Sequence, residues 1–89
     1  MTVYCVTYDL KAPGKDYTPV HDYLKQFAYC KNLESFWLID TTKTSAEIRD
    51  DLRNLSDSND VFFVARLQGS WASLNYGCGD WLNSKNRNW

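Results

Sequence analysis

Two segments of this chain carry β-branched or aromatic residues at nearly every position, and together they limit the folds open to it. Residues 2–10 read TVYCVTYDL and residues 61–67 read VFFVARL. A strand with one wet face alternates apolar and polar side chains, whereas a strand that is apolar throughout is covered on both sides. The chain must therefore hold a sheet between two layers. It has 89 residues for this, enough for one domain, and a domain of that size buries only a modest share of its surface.

Helix signals alternate with the strands. Thr18 and Pro19 read as a hydroxyl N-cap followed by proline at the first helical position, where its missing N–H costs nothing. Val20, Tyr23, Leu24 and Phe27 follow as one apolar stripe. Residues 44–47, TSAE, form a capping box, and Ile48, Leu52 and Leu55 make the buried stripe of a second helix. Glu47, Asp50 and Asp51 lie near its positive end. Between the helices, residues 35–41 predict a strand and residues 29–33 a weaker one, with a turn or bulge at 32–35. KAPGKDY at 11–17 and DSND at 57–60 are loops. Past residue 67 the chain is irregular and holds three glycines between 69 and 79, with an extended piece at 71–74 and a helical turn at 80–84. Residues 85–89, KNRNW, read as a flexible polar tail.

This order predicts an α+β domain over residues 1–84, of ferredoxin-like βαββαβ type. Its antiparallel sheet carries two helices on one face, and a short C-terminal extension follows. Right-handed crossovers are expected to set the first and last strands side by side in the middle. The helices then leave one sheet face, around Cys5 and Phe63, to be covered by something else. Face-to-face packing of two copies would cover it, so a homodimer is expected. The aromatic content, 16% with four Trp and six Tyr, suits a subunit contact or a ligand surface.

Charge and cysteines narrow the function. Ten Lys plus Arg stand against eleven Asp plus Glu, a net charge of −1. A sequence-independent DNA binder is clearly basic, so nucleic acid is a partner only through a local patch. Cys5, Cys30 and Cys78 show no CxxC spacing, and their odd number suggests a reducing compartment. Met1 leads straight into a strand-like run without a basic, then apolar, leader. No apolar run approaches the ~20 residues needed to span a bilayer. A cytoplasmic protein with no membrane partner is expected.

The run VTYDL closing the first strand, the PGKDY loop, LESFWLIDT, the SAEIRDDL helix and DVFFVARLQGSWA followed by WL together resemble small bacterial and phage proteins of the SinR-type group. These are similar to the CRISPR-associated Cas-two family. The resemblance spans residues 2–82. It implies a ferredoxin-like homodimer with a structural role, bridging the spacer integrase and gripping duplex DNA. Some Cas-two members are metal-dependent nucleases whose acidic residue stands in a Tyr-Asp pair at the end of the first strand. Here that pair is Tyr8-Asp9. The sequence departs from the family in lacking the basic balance of a DNA-bridging dimer. It also lacks a clear final strand to exchange with a partner, unless residues 71–74 serve.

Asp9 is therefore the candidate catalytic and metal-binding residue. Mg²⁺ takes oxygen ligands and keeps several waters, so two Asp9 carboxylates brought together by a dimer axis would suffice. The plainer reading is a strand-end carboxylate that accepts hydrogen bonds from the KAPGK loop. Arg66, inside an apolar strand, is read either as an anion clamp or as one member of an ion pair with Asp9, Asp40 or Glu34. Trp71 and Ser70 in the GSWAS stretch, together with Tyr8, are candidates for ligand binding, with Trp71 stacking on a base or else packing as core. Trp37 reads as core. His21, the lone histidine, reads as a surface residue, and Cys30 beside Lys31 as a buried or incidental thiol.

Three functions follow. The first is a non-catalytic binding module, a homodimer working through nucleic-acid or protein contacts. The second is an Mg²⁺-dependent nuclease using paired Asp9. The third is a dimer that sequesters a nucleotide-like small molecule between its subunits, through Arg66 and Trp71.

Overall fold

The computed structural model describes residues 2–12, 14–84 and 87. The strands are β1 (Thr2–Asp9), β2 (Ala28–Leu33), β3 (Phe36–Thr41) and β4 (Val61–Arg66), and the helices are α1 (Thr18–Lys25), α2 (Ser45–Arg53) and α3 (Gly79–Leu82). The strands form one open antiparallel sheet in the order β2-β3-β1-β4. The expected pairing of first and last strands is present, but they do not share the middle. β1 is hydrogen-bonded on both sides, to β3 and β4, while β4 forms an edge. The central pair is β1 and β3, which explains why Leu38, Ile39, Asp40 and Thr41 are buried.

Alternation along the strands sorts the side chains into two cores. Tyr4 and Val6 of β1, with Trp37 and Ile39 of β3, meet Val20 and Leu24 of α1 and Ile48 and Leu52 of α2. Both helices thus lie on one face. α2 opens with the expected capping box: Glu47 N–H donates to Thr44 Oγ1 at 3.1 Å, and Thr44 N–H donates to Glu47 Oε1 at 2.9 Å. α1 begins one residue earlier than expected. Its N-cap is Tyr17, which makes no side-chain cap; Asp16 Oδ1 instead accepts from Thr18 N–H at 2.9 Å, and these Thr18 bonds hold the Asp16 carboxyl below its ordinary value.

The opposite face is covered by the chain's own C-terminal segment. After β4, Leu67 N–H donates to Val3 C=O at 2.9 Å, and the chain then crosses the sheet. Cys78 and Leu82 pack on Val3, Cys5 and Leu38, flanked by Trp71, Tyr76 and Trp81. Burial pushes the thiol of Cys5 up, partly offset by a hydrogen bond with the Ala65 backbone. The expectation that a second copy covers this face is corrected for the area around Cys5.

A covalent bond and an ion pair help tie the segment down. A Cys30–Cys78 disulfide joins β2 to the residue before α3, across 48 residues. This overturns the reading of Cys30 as an incidental thiol and leaves only Cys5 free. In the ion pair, Arg87 Nη1 donates to Asp40 Oδ2 at 2.6 Å, with the two side chains 9% and 0% exposed. The guanidinium also lies 4.0 Å from the Trp81 ring centroid. Arg87 thus departs from the expected frayed tail. Lys85, Asn86, Asn88 and Trp89, the rest of that tail, lie outside the described residues.

Candidate functional site

The residues singled out by sequence lie in separate places. Asp9 ends β1 with its side chain 70% exposed, 3.7 Å from Lys11 Nζ. Among the described residues no three His, Cys, Asp or Glu side chains gather as a metal site. The KAPGK loop does not close on Asp9 but on Asp60, in the α2–β4 turn. Asp60 Oδ1 accepts from Lys11 N–H at 2.7 Å and from Tyr17 O–H at 2.7 Å, and Oδ2 accepts from Asp57 N–H at 2.8 Å. Burial pushes this carboxyl up, but the three hydrogen bonds and the charge of Lys15 outweigh it and hold it below the ordinary value. Asp60 is thus the carboxylate that organises this end of the sheet, a role given to Asp9 in one reading of the sequence.

Arg66 is exposed at the last position of β4, opposite Tyr4. It makes no ion pair with Asp9, Asp40 or Glu34. The buried pair expected of it is made by Arg87 with Asp40 instead. The physical reason is the edge position: a side chain at the end of an edge strand reaches water without a partner. Asp9 and Arg66 are at opposite ends of β4's pairing with β1, about 17 Å apart along the strand. Trp71 is partly buried against the outer-face core, while Arg66 shares the helix-side face with Phe62 and Val64. The fold therefore does not unite Arg66 with Trp71, and Ser70 beside Trp71 is exposed.

Two sequence candidates line clefts: Trp71 borders one of about 590 Å³ with Asn75, Asp80 and Asn83, and Tyr8 borders one that gathers basic side chains. The Tyr8 cleft, of about 530 Å³, opens between α1 and the β2–β3 turn and is lined by Tyr8, His21, Lys25, Lys31, Glu34, Ser35 and Trp37. Trp37 is 2% exposed and forms its floor. The indole Nε1–H donates to Tyr8 Oη at 3.0 Å. His21 stacks over Trp37 with centroids 6.2 Å apart and planes at 19°, and Lys31 Nζ stands 5.8 Å from the Trp37 centroid. Ser35 takes φ 56 in the turn, and its carbonyl accepts from Tyr8 N–H at 3.2 Å, which fixes the turn against β1. The sequence reads His21 as a surface residue and gives Lys25 and Lys31 no part in a site, whereas the fold gathers all three around Trp37. A signal was present: His21 and Lys25 are one helical turn apart on one face, and Lys31 follows Tyr29 in a strand by two, on the same side.

The outer face also keeps a bare apolar end. Phe63 is 62% exposed, Val61 50%, Leu33 50% and Leu74 86%. No family model matches the chain, and no solved structure matches it. No helix among the described residues is long and apolar enough to cross a membrane.

Proposed function

We propose that this protein is a non-catalytic binding module of ferredoxin-like, Cas-two-like build, working as a homodimer through protein or nucleic-acid contacts. What supports that build is the open four-stranded antiparallel sheet in which β1 pairs with both β3 and β4, with α1 and α2 on one face. The observation that carries the dimer is the pair of exposed apolar side chains on the outer face of the edge strand β4, Phe63 at 62% and Val61 at 50%. An unpaired strand edge flanked by large apolar side chains invites another strand. A second copy fits, because two β4 edges laid antiparallel bring Val61 and Phe63 of both chains together.

Light scattering on the purified protein tests this. A dimer that Phe63→Lys converts to a folded monomer is the expected result. A wild-type monomer at micromolar concentration overturns it. The reading also places the protein in the cytoplasm, whereas the Cys30–Cys78 bridge suits an oxidising compartment. Thiol alkylation in freshly lysed cells decides between them.

The nuclease is the second reading, carried only by the exposed carboxylate of Asp9. In a dimer joined through β4 edges the two Asp9 residues stand on β1 strands with both β4 strands between them, about 14 Å apart, so each would have to hold Mg²⁺ through waters rather than share it with its counterpart. Within one chain Asp9 has Lys11 rather than a second carboxylate beside it. Cleavage of DNA or RNA that needs Mg²⁺ or Mn²⁺ and disappears in Asp9→Ala would put the nuclease first.

A further inference from the structure

We infer that the cleft between α1 and the β2–β3 turn binds a small phosphorylated compound, at a site separate from the proposed dimer contact. Its rim carries two ammonium groups, Lys25 and Lys31, and neither has a carboxylate within ion-pair distance among the described residues. Elsewhere Lys11 pairs with Asp9, Lys43 with Asp51, and Arg49 and Arg53 with Asp50, whereas Lys15 and Arg66 make no ion pair among the described residues. Two of the three described lysines without an ion pair thus line one concave surface. Lysine serves phosphate as a point charge that needs no fixed approach angle.

The cleft is also organised rather than merely basic. Trp37 Nε1–H occupies a lone pair of Tyr8 Oη, so the Tyr8 hydroxyl proton points elsewhere, and no acceptor for it is found among the described residues. It lines the cleft together with the Ser35 hydroxyl. These two neutral donors and two ammoniums face one volume of about 530 Å³, within the ~300–1,000 Å³ of small-molecule sites. Stacking on Trp37 holds His21 at the wall, and the bulge between Cys30 and Leu33 shapes the strand that carries Lys31.

Glu34 on the same rim selects among anions. A carboxylate beside the lysines repels a long polyanion such as duplex DNA, and it accepts from a ligand that carries its own donor. A phosphate monoester with an amino or hydroxyl group, such as a nucleoside monophosphate, satisfies all of these groups at once.

Titration of the ¹⁵N-labelled protein at low salt with adenosine monophosphate, inorganic phosphate and adenosine tests the site. The Trp37 indole N–H and the Ser35 amide are reporters that lie inside it. The expected result is saturable shifts of both with the monophosphate, weaker ones with phosphate, and none with adenosine. Lys25→Glu with Lys31→Glu should weaken monophosphate binding by about tenfold or more, while Arg66→Glu leaves it unchanged. Both lysines are exposed, so these variants keep the fold, and an unchanged spectrum outside the cleft verifies that. Neither phosphate nor the monophosphate shifting the reporters overturns the inference. So does adenosine binding as well as the monophosphate, or charge reversal of the lysines having no effect. None of these readouts depends on whether the chain is a dimer.

Discussion

The two faces of the sheet are closed by different means. The helix side is covered by α1 and α2, whose apolar stripes are visible in the sequence and whose buried aliphatic side chains, Val20, Leu24, Ile48 and Leu52, share a core with Tyr4, Val6, Trp37 and Ile39 of the sheet. The other side is covered by an irregular segment whose one helix is the four-residue α3. That segment makes few repeating backbone bonds, so it depends on individual ties: the Cys30–Cys78 bridge, the Arg87–Asp40 pair, and the Gly77 N–H donated to Asn32 Oδ1 at 3.0 Å. A Cβ at Gly77 would come within 2.7 Å of Asn32 Nδ2, so a larger residue there would push aside the Asn32 side chain that accepts this bond. A face closed by periodic elements distributes its stability over many contacts. A face closed by staples concentrates it in a few, and each one is a point of failure.

Breaking the ion pair should give the largest effect. Arg87→Ala leaves Asp40 buried and uncompensated, and removing one partner of a buried pair costs about 3–5 kcal/mol. Asp40 Oδ1 and Arg87 Nε have no protein partner among the described residues, so the intact pair is only partly satisfied. Replacing both residues together, Asp40→Leu with Arg87→Met, should therefore cost less than Arg87→Ala alone. Urea melts of the three proteins check this. Equal losses in the single and double variants would show that packing against Trp81, not charge, holds the segment.

Next comes the disulfide. Closing a loop of 48 residues stabilises by about 4 kcal/mol on the chain-entropy account, and losses of ~2–5 kcal/mol are usual when a native bridge is removed. For Cys30→Ser with Cys78→Ser, hydrogen exchange should rise first in residues 68–84 while α1 and α2 stay protected. If both faces lose protection together, they form a single cooperative unit and the contrast between them fails. By comparison Thr44→Ala, which removes a cap on the helix side, should cost only about 1 kcal/mol.

The smallest effects are in pH dependence. Asp60 is held below its ordinary value in the folded state, so its contribution is present above the unfolded carboxylate pKa and is lost as pH falls through the lower folded value. Tyr23 runs the other way. Burial, then its hydrogen bond to Asp51, pushes its phenol well up, so its contribution is present below the usual tyrosine pKa and is lost as pH rises beyond it. Asp60→Asn should flatten the acid limb of a stability profile and Tyr23→Phe the alkaline limb. Melting temperatures across pH check both, and an unchanged profile in either variant removes that residue from the account.

The sequence by itself determined the local elements. Thr44 with Glu47 marks where α2 begins, the apolar stripes mark both helices, and the runs at 2–10 and 61–67 mark β1 and β4, because period and capping are properties of neighbouring residues. It also required that the sheet be covered on both sides. Tertiary structure decided what provides the second cover, since Cys30 meets Cys78 and Asp40 meets Arg87 only after the chain has crossed the sheet. The same holds for charge: VFFVARL reads Arg66 as buried, but an edge strand exposes its end, and the buried cation is Arg87 in what reads as a solvated tail. The cleft, too, was set by the fold, which brings Tyr8, His21, Lys31 and Ser35 from three elements and a turn around Trp37. Contacts between residues far apart in the chain depend on the path taken between them, and local pattern does not encode that path.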